Sequence, residues 1–591
     1  MKFSKKIKLI REQMRFSGID AYIVPSSDPH ASEYLPEYYK TREWVSGFKG
    51  SAGTLVITQK KCALWTDGRY FIQAEKELAD TDITIIKMGI PSEPTISQWL
   101  ITELDDDFSV GFNGLQMMTS EVQWLQKHLK HKNVKIDFTS NIIDKIWLNR
   151  PYLPSEKIYI HDDFYNGATS SEKIQRIKDK MNALGASSHL ITKLDDIAWV
   201  LNLRGNDITN NPYFLSYLFI SNEKVILYVD PLKLNEKIVE KLHSNQIKVK
   251  LYDDLLKDLG GLKCLKAIML DKSATPYFIY NSLENRCKVI DHRNPSTDFK
   301  AVKTDLELKH LEECYIDDGA AVVKFLNWLS KTGTEKLTEL DIDTKITAFR
   351  SENPLIRGKS FDTIAAYKDH GAIMHYRATE ESAYTIEPKG LLLIDSGAQY
   401  LNGTTDITRT VAMGPLTEEE RTDFTLTLKS MLALSRAVFL EGATGTHLDT
   451  ISRMNMWEHA MDYKCGTGHG IGYFLGVHEG PGRISMNLSD VSLAPGMVFS
   501  NEPGVYRNGK HGVRLENIIY VVPHTENEFG RFFRFETLTL CPLDIDAINL
   551  DMMTKVEIDQ LNAYHDKVRT LLSPKLNADE KKWLENATHA I

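Results

Sequence analysis

Short apolar runs alternate with charged stretches of helical period through the first half of the chain. "DAYIV" (20–24), "GTLVI" (53–57) and "CALWTD" (62–67) read as strands, and "SHLIT" (188–192), "SYLFI" (216–220) and "VILYVD" (225–230) repeat them in the same order. A charged helical stretch precedes each set. The first of these, "MKFSKKIKLIREQMRFSG", carries charges in every turn and reads as an amphipathic helix. The pattern predicts two related α/β domains.

Prolines break the pattern near "NRPYLPSE" (149–156), and a second break falls near "HRNPSTDFKAVKT" (292–304). There Thr304 and Glu307 form a T-x-x-E capping box that opens a long helix, apolar at Leu308, Leu311, Val322, Phe325, Leu326 and Leu329. A third domain therefore begins close to residue 301. Beyond it "FETLTLCPLD" reads as a strand, followed by two helices, "TKVEIDQLNAYHDKVRTLL" and "NADEKKWLENA". The expected division is 1–150, 151–300, 301–530 and a C-terminal extension, 531–591, packed on the third domain.

Composition changes this picture little. The 591 residues are 42% hydrophobic and 26% charged, an ordinary globular balance, and are too many for one core. A net charge of −9 without a basic face speaks against nucleic acid and anionic membranes as partners. Six cysteines without a CxxC pair exclude a disulfide scaffold and a cysteine-rich zinc module, and read as reduced thiols. The amino-terminal stretch lacks the apolar core of a signal peptide, and no apolar run reaches the roughly 18 residues of a membrane span. A cytoplasmic protein is expected.

The chemistry concentrates in the third domain. "GLLLIDSGAQYLNGTTDITRTVAMG" (390–414) predicts two β-runs around an Asn402-Gly403 turn, placing Asp395 and Asp406 on neighbouring antiparallel strands. An isolated aspartate ending "LLLI" reads first as an ion-pair partner of Arg409 or another arginine, since a lone buried carboxylate costs several kcal/mol. It does not stand alone, however. Glu502 closes "GMVFSNEPGVY", where Pro503 keeps it extended, and in "GVRLENIIYVV" the alternation puts Arg514 and Glu516 on one side. His469 stands in the glycine-rich "CGTGHGIGYFLGVHEGPG" (465–482). Four carboxylates and one imidazole form a hard donor set suited to two divalent ions such as Mn²⁺, unlike structural zinc sites.

Asp395, Asp406, His469, Glu502 and Glu516, in this order, resemble the metal ligands of the pita-bread metallopeptidases: methionine aminopeptidase, prolidase and aminopeptidase P. "VPSSDPHASEY", "GFKGSAGTLVI", "WTDGRYFIQAEKEL", "TGHGIGYFLGVHEGPG" and "LENIIYVV" narrow the likeness to the three-domain Xaa-Pro aminopeptidase group over essentially the whole chain. The resemblance implies two creatinase-like α/β domains before a pita-bread catalytic domain. It implies that Asp395 binds one ion, that His469 and Glu502 bind the other, and that Asp406 and Glu516 bridge them. Mn²⁺ is the expected metal, with Zn²⁺ or Co²⁺ as substitutes. Two such ions acidify a shared water and polarise the scissile carbonyl, so no protein nucleophile is needed. None is visible in a Ser/His/Asp, Cys/His or G-x-S-x-G arrangement.

The same resemblance assigns His375 to the substrate or oxyanion, His478 to the peptide and proton movement, Arg514 to electrostatic support and Tyr506 to a place near the site. The implied substrate is a peptide with proline second, and the implied assembly a homodimer. Cys465 departs from the pattern, because relatives carry histidine four residues before the ligand histidine. Reduced or altered turnover is expected. Asp28, His30 and Glu33 in "VPSSDPHASEY" read as structural, and the hydroxyls of "GTTDITRT" and "TGTHLD" suit turns and caps. The alternatives are an Xaa-Pro dipeptidase, an inactive pita-bread binding module and a metal-free amidinohydrolase. The presence of all five ligand residues disfavours the last two.

Overall fold

The computed structural model describes residues 3–261, 266–332 and 336–591. One compact unit comprises Met1–His161 and Ala168–Thr297, the other Asp162–Gly167 and Asp298–Ile591. Cys264, one of the six cysteines, lies outside the described residues; Cys62, Cys287, Cys314, Cys465 and Cys541 are free thiols.

The first unit holds the predicted repeat, and the repeat is longer than the apolar runs showed. One six-stranded sheet runs Thr84–Lys87, Cys62–Thr66, Thr54–Thr58, Ala21–Pro25, Ser109–Phe112, Lys135–Asp137. The other runs Ile247–Lys250, Val225–Val229, Ser216–Ser221, Ser188–Ile191, Ala267–Leu270, Lys288–Asp291, which is the same order of strands. The pairings repeat too. In each sheet the first strand meets the second antiparallel and the fifth parallel. The predicted opening helix spans Phe3–Ser17 and buries Ile7, Ile10 and Met14 along one stripe.

The "VPSSDPHASEY" motif is structural in this unit. Asp28 Oδ1 accepts the backbone N–H of His30 and of Ser32, the turn that Asp-Pro initiates. His30 is buried between the Thr192 carbonyl, 2.7 Å from Nδ1, and the Tyr252 hydroxyl, 2.8 Å from Nε2.

In the second unit the capping box forms as predicted. Glu307 N–H donates to Thr304 Oγ1, Thr304 N–H donates to Glu307 Oε2, and the helix Asp305–Ser330 follows. Leu311, Val322, Phe325, Leu326 and Leu329 are buried along it; burying a side chain such as Phe325 contributes roughly 1.5–3 kcal/mol. The strands Leu391–Ser396 and Ile407–Ala412 pair antiparallel, with Asp395 opposite Thr408. The turn between them lies one residue earlier than expected: Tyr400 pairs with Gly403, leaving Leu401 and Asn402 at the tip. Gly403 is then a strand residue pressed on the long helix, where a Cβ would meet Leu311 at 2.9 Å and Cys314 Sγ at 3.0 Å.

The C-terminal strand is shorter than "FETLTLCPLD" suggests. It spans Gly530–Thr537, and 538–544 run as irregular chain. The reason is a side chain: Arg409 takes the carbonyls of Cys541 and Pro542, each at 2.9 Å, which would otherwise serve a ladder. Helices Lys555–Leu572 and Ala578–Ala587 follow, both opened by capping boxes.

Candidate metal centre

Five strand ends and bends deliver the candidate side chains. Asp395 is the penultimate residue of Leu391–Ser396, and Asp406 occupies the bend just before Ile407–Ala412. His469 is the middle residue of Gly468–Gly470. Glu502 follows Val498–Asn501, and Glu516 fills the break between His511–Arg514 and Asn517–Asn527. Residues at such breaks have no ladder partner, so other groups must hold them.

These side chains converge. Ligand atoms of Asp406, His469 and Glu516 lie within 4.8 Å of one another. His469 Nε2 is 3.3 Å from Glu502 Oε1 and 3.6 Å from Asp406 Oδ2. Asp395 joins through charge: it raises the pKa of Asp406, Glu502 and Glu516 alike.

Asp395, His469, Glu502 and Glu516 are each held by a neighbour. Arg514 Nη2 donates to Asp395 Oδ2 at 2.5 Å, so the arginine that pairs with Asp395 is Arg514 and not Arg409. The Tyr506 hydroxyl accepts a hydrogen bond from Arg514 Nη1 at 2.9 Å. Thr408 Oγ1 accepts Arg514 Nε at 3.1 Å and donates to Glu516 Oε2 at 2.9 Å. Ser500 Oγ accepts the His469 N–H at 2.9 Å and donates to Glu502 Oε1 at 3.0 Å. His469 Nδ1 lies 3.0 Å from the Gly470 carbonyl, which fixes Nε2 as the nitrogen facing the acids.

The electrostatics of this arrangement favour a cation. Burial, then Asp395 and Glu502, push the Asp406 carboxyl well above the carboxylate range. Glu516 is raised in the same way by burial, Asp406, Glu502 and Asp395. Burial also lifts Glu502, to about 7, against the pull of Arg514. One arginine does not neutralise four clustered acids. Two buried oxygens, Asp395 Oδ1 and Glu516 Oε1, have no hydrogen-bond partner among the described residues. Unpartnered carboxylate oxygens beside a neutral-capable imidazole nitrogen are the donors a pair of divalent ions requires, so the residues fit the metals that the sequence implies.

The remaining candidates surround this cluster. The His478 ring is exposed and meets the His469 ring edge-to-face, centroids 4.3 Å apart. His375 is half-buried, three residues beyond the short turn Lys368–Ala372. Cys465 packs with Met456, Tyr463, Val505 and Tyr506, and burial with the Glu502 charge pushes its thiol up to about 11.

Several contributing residues escaped sequence reasoning. Thr408, among the "GTTDITRT" hydroxyls expected to serve turns and caps, is instead a strand residue bonded to Arg514 and Glu516, and Ser500 looks like an ordinary strand hydroxyl. Glu339 sits in the first turn of the helix Glu339–Arg350, where an acid reads as a dipole partner. It instead gathers the Tyr367 N–H, the Tyr384 N–H, the Tyr376 hydroxyl and His370 Nδ1, and so fixes the segment that carries His375. Glu479, next to His478, is buried against Lys303.

Comparison with known proteins follows the same lines. Family models described as creatinase/prolidase N-terminal domain match residues 6–146 and 149–307. The model for metallopeptidase family M24 matches 309–523, and that for the C-terminal region of peptidase M24 matches 531–591. Xaa-Pro aminopeptidase 1 of Dictyostelium discoideum is 38% identical over 99% of this chain and 96% of its own. A solved X-prolyl aminopeptidase from Caenorhabditis elegans, described as a cytosolic enzyme with a di-nuclear active site, superposes with a TM-score of 0.96 at 32% identity over 100% of both chains. The prolidase of Pyrococcus horikoshii covers only 63% of this chain and 99% of its own, with a TM-score of 0.50 at 25% identity.

Proposed function

The chain belongs to metallopeptidase family M24, with two creatinase-like α/β domains before a pita-bread catalytic domain, and from that membership we propose that it is an Xaa-Pro aminopeptidase. It releases the N-terminal residue of peptides that carry proline second. The convergence of Asp395, Asp406, His469, Glu502 and Glu516, with carboxylate oxygens left unpartnered, carries this reading. Full-length likeness to Xaa-Pro aminopeptidases, against partial coverage by prolidase, favours an aminopeptidase over a dipeptidase. The division at 150, 300 and 530 belongs to the same reading and is supported by the bounds of the four family models.

In this reading Asp395 would help hold one divalent ion and His469 and Glu502 the other, with Asp406 and Glu516 completing the donor set. Such ions would supply Lewis acidity towards water and the scissile carbonyl. Everything else falls to the chain's own groups. Arg514 keeps Asp395 oriented, and Tyr506 and Thr408 keep Arg514 in place. His478, exposed beside His469, meets the peptide and passes protons at its nitrogen. His375, on the segment fixed by Glu339, donates to the oxygen that gains charge as the carbonyl is attacked. An Xaa-Pro amide has no N–H, so the site needs no acceptor for one.

Mn²⁺ suits four carboxylates with one imidazole, and Zn²⁺ or Co²⁺ can substitute. No helix among the described residues is long and apolar enough to cross a membrane. That, the free thiols and the cytosolic Caenorhabditis enzyme support a cytoplasmic location, and a homodimer completes the proposal. The test is Arg-Pro-Pro hydrolysis by metal-stripped protein after Mn²⁺ is restored, with Asp406→Asn beside it. Arginine release that needs both Mn²⁺ and Asp406 is expected. Release independent of either would refute the assignment.

A further inference from the structure

Glu516 carries a site oxygen yet belongs to no ladder. Its N–H donates to the Thr408 carbonyl at 3.1 Å, and its own carbonyl accepts Arg409 Nη1 at 2.5 Å. The next residue, Asn517, gives its side-chain oxygen to Arg409 Nη2 at 2.8 Å. Arg409 therefore holds the Glu516 carbonyl and the side chain of the next residue, just beyond the carboxylate that Glu516 presents.

The other arm of the same guanidinium reaches the C-terminal region. Nε donates to the Pro542 carbonyl at 2.9 Å, and Nη2 to the Cys541 carbonyl at 2.9 Å and the Tyr564 hydroxyl at 3.0 Å. Nη1 also reaches the Thr408 carbonyl at 3.0 Å, so all five N–H donors have acceptors. Tyr564, on the helix Lys555–Leu572, lies 2.9 Å from the Cys541 carbonyl and 3.3 Å from Asn517 Oδ1. Arg409 is 3% exposed, and an arginine buried this way without carboxylate partners among the described residues is there for its fork of donors.

We propose that Arg409 and Tyr564 are positioning residues through which the C-terminal region braces the metal centre, by fixing the backbone of Glu516. The brace rests on the reading that Glu516 holds metal. A carboxylate that would ligate metal tolerates little displacement, about 0.5 Å at most, so loosening its backbone weakens metal binding before it unfolds the chain. Lysine at 409 keeps the charge but reaches only one or two of these carbonyls.

The experiment titrates full-length metal-free protein with MnCl₂, following free Mn²⁺ by electron paramagnetic resonance well below the unfolding transition. Tyr564→Phe removes one hydroxyl and keeps the ring, and Arg409→Lys removes the fork. Leu584→Ala, in a buried position of the helix Ala578–Ala587 packed with Val568 and Leu572, destabilises the same region without touching Arg409. Glu516→Gln reports on the metal reading itself.

Expected are affinities about 10- to 100-fold weaker in Arg409→Lys, a smaller loss in the same direction in Tyr564→Phe, and wild-type affinity in Leu584→Ala. The proposal is overturned if Tyr564→Phe and Arg409→Lys bind as wild type while Glu516→Gln does not, or if Leu584→Ala weakens binding equally. Should Arg409→Lys fail to fold, Tyr564→Phe decides. If Glu516→Gln binds Mn²⁺ as wild type does, the metal reading falls, and the brace with it.

Discussion

Arg514 and Asp395 face each other across 2.5 Å, both largely withdrawn from solvent, and the second oxygen of Asp395 has no hydrogen-bond partner among the described residues. One oxygen is thus committed to orientation and the other to the site.

Removing the guanidinium should therefore disturb the site more than the fold. Arg514→Met leaves Asp395 with no countercharge and releases Tyr506 and Thr408. kcat/KM should drop by about 10²-fold, with Mn²⁺ binding weakened in parallel. Steady-state kinetics and a metal titration check this; unchanged metal affinity would show that Arg514 acts elsewhere.

Cys465, where the family resemblance implies histidine, packs beside Tyr506 and lies close enough to Glu502 for its thiol to feel that charge. A thiol held near 11 neither donates nor accepts protons usefully at neutral pH. Cys465→His should raise kcat about tenfold, at or below the ~10²–10⁴ of a full proton-transfer role. Identical kinetics on Arg-Pro-Pro would make the position irrelevant to turnover.

Glycine is needed at particular sites in the His469 loop. A Cβ on Gly468 would lie 1.9 Å from the Ser500 carbonyl, forcing apart the contact that aligns His469 with Glu502. A Cβ on Gly466 would meet nothing closer than 3.4 Å. Gly468→Ala should lose most Mn²⁺ affinity, and Gly466→Ala should keep it, by calorimetric titration. Equal affinities would rule out the close approach at Gly468.

Two buried histidines set an acid limit on stability. His189, beside the Met269 carbonyl, and His565, whose Nε2 accepts the Leu543 N–H at 3.1 Å, are both lowered to about 4, chiefly by burial. The unfolded chain takes up these protons near 6.5, so it binds more protons than the folded one between pH 6.5 and 4. Their contribution is complete above 6.5 and is lost as pH falls towards 4, on the order of 3 kcal/mol for each histidine. Urea unfolding at pH 7 and pH 5 should show a smaller pH dependence in His565→Gln than in wild type. An equal dependence would contradict this account.

The legible parts of the sequence were those that break a local rule. Asp395 ending "LLLI" and His469 among glycines conflict with their surroundings; His469 lies in the cluster with Asp406 and Glu516, and Asp395 acts on the same acids through its charge. Thr408, Ser500 and Arg409 obey strand preferences, so nothing local separated them from neighbours that do no more than pair. Strands such as Lys135–Asp137 and Thr84–Lys87 are too short to show alternation, which hid half of each repeat. "FETLTLCPLD" shows the reverse: its β-pattern is genuine, but a buried guanidinium elsewhere in the sequence outbids the ladder for its carbonyls.

Identical strand order in two sheets of one unit also poses a question of assembly. While the nascent chain folds, either half could in principle lend a strand to the other, a recurrent failure of tandem repeats. What separates them is side-chain individuality. Trp65 meets Trp99 edge-on at 5.4 Å in the first sheet, where the corresponding strand of the second offers Tyr228, bound through its hydroxyl to Asp258 at 2.8 Å. An exchanged strand would leave that hydroxyl buried without an acceptor or a tryptophan without room, so divergence of the two copies is itself what keeps each sheet to its own sequence.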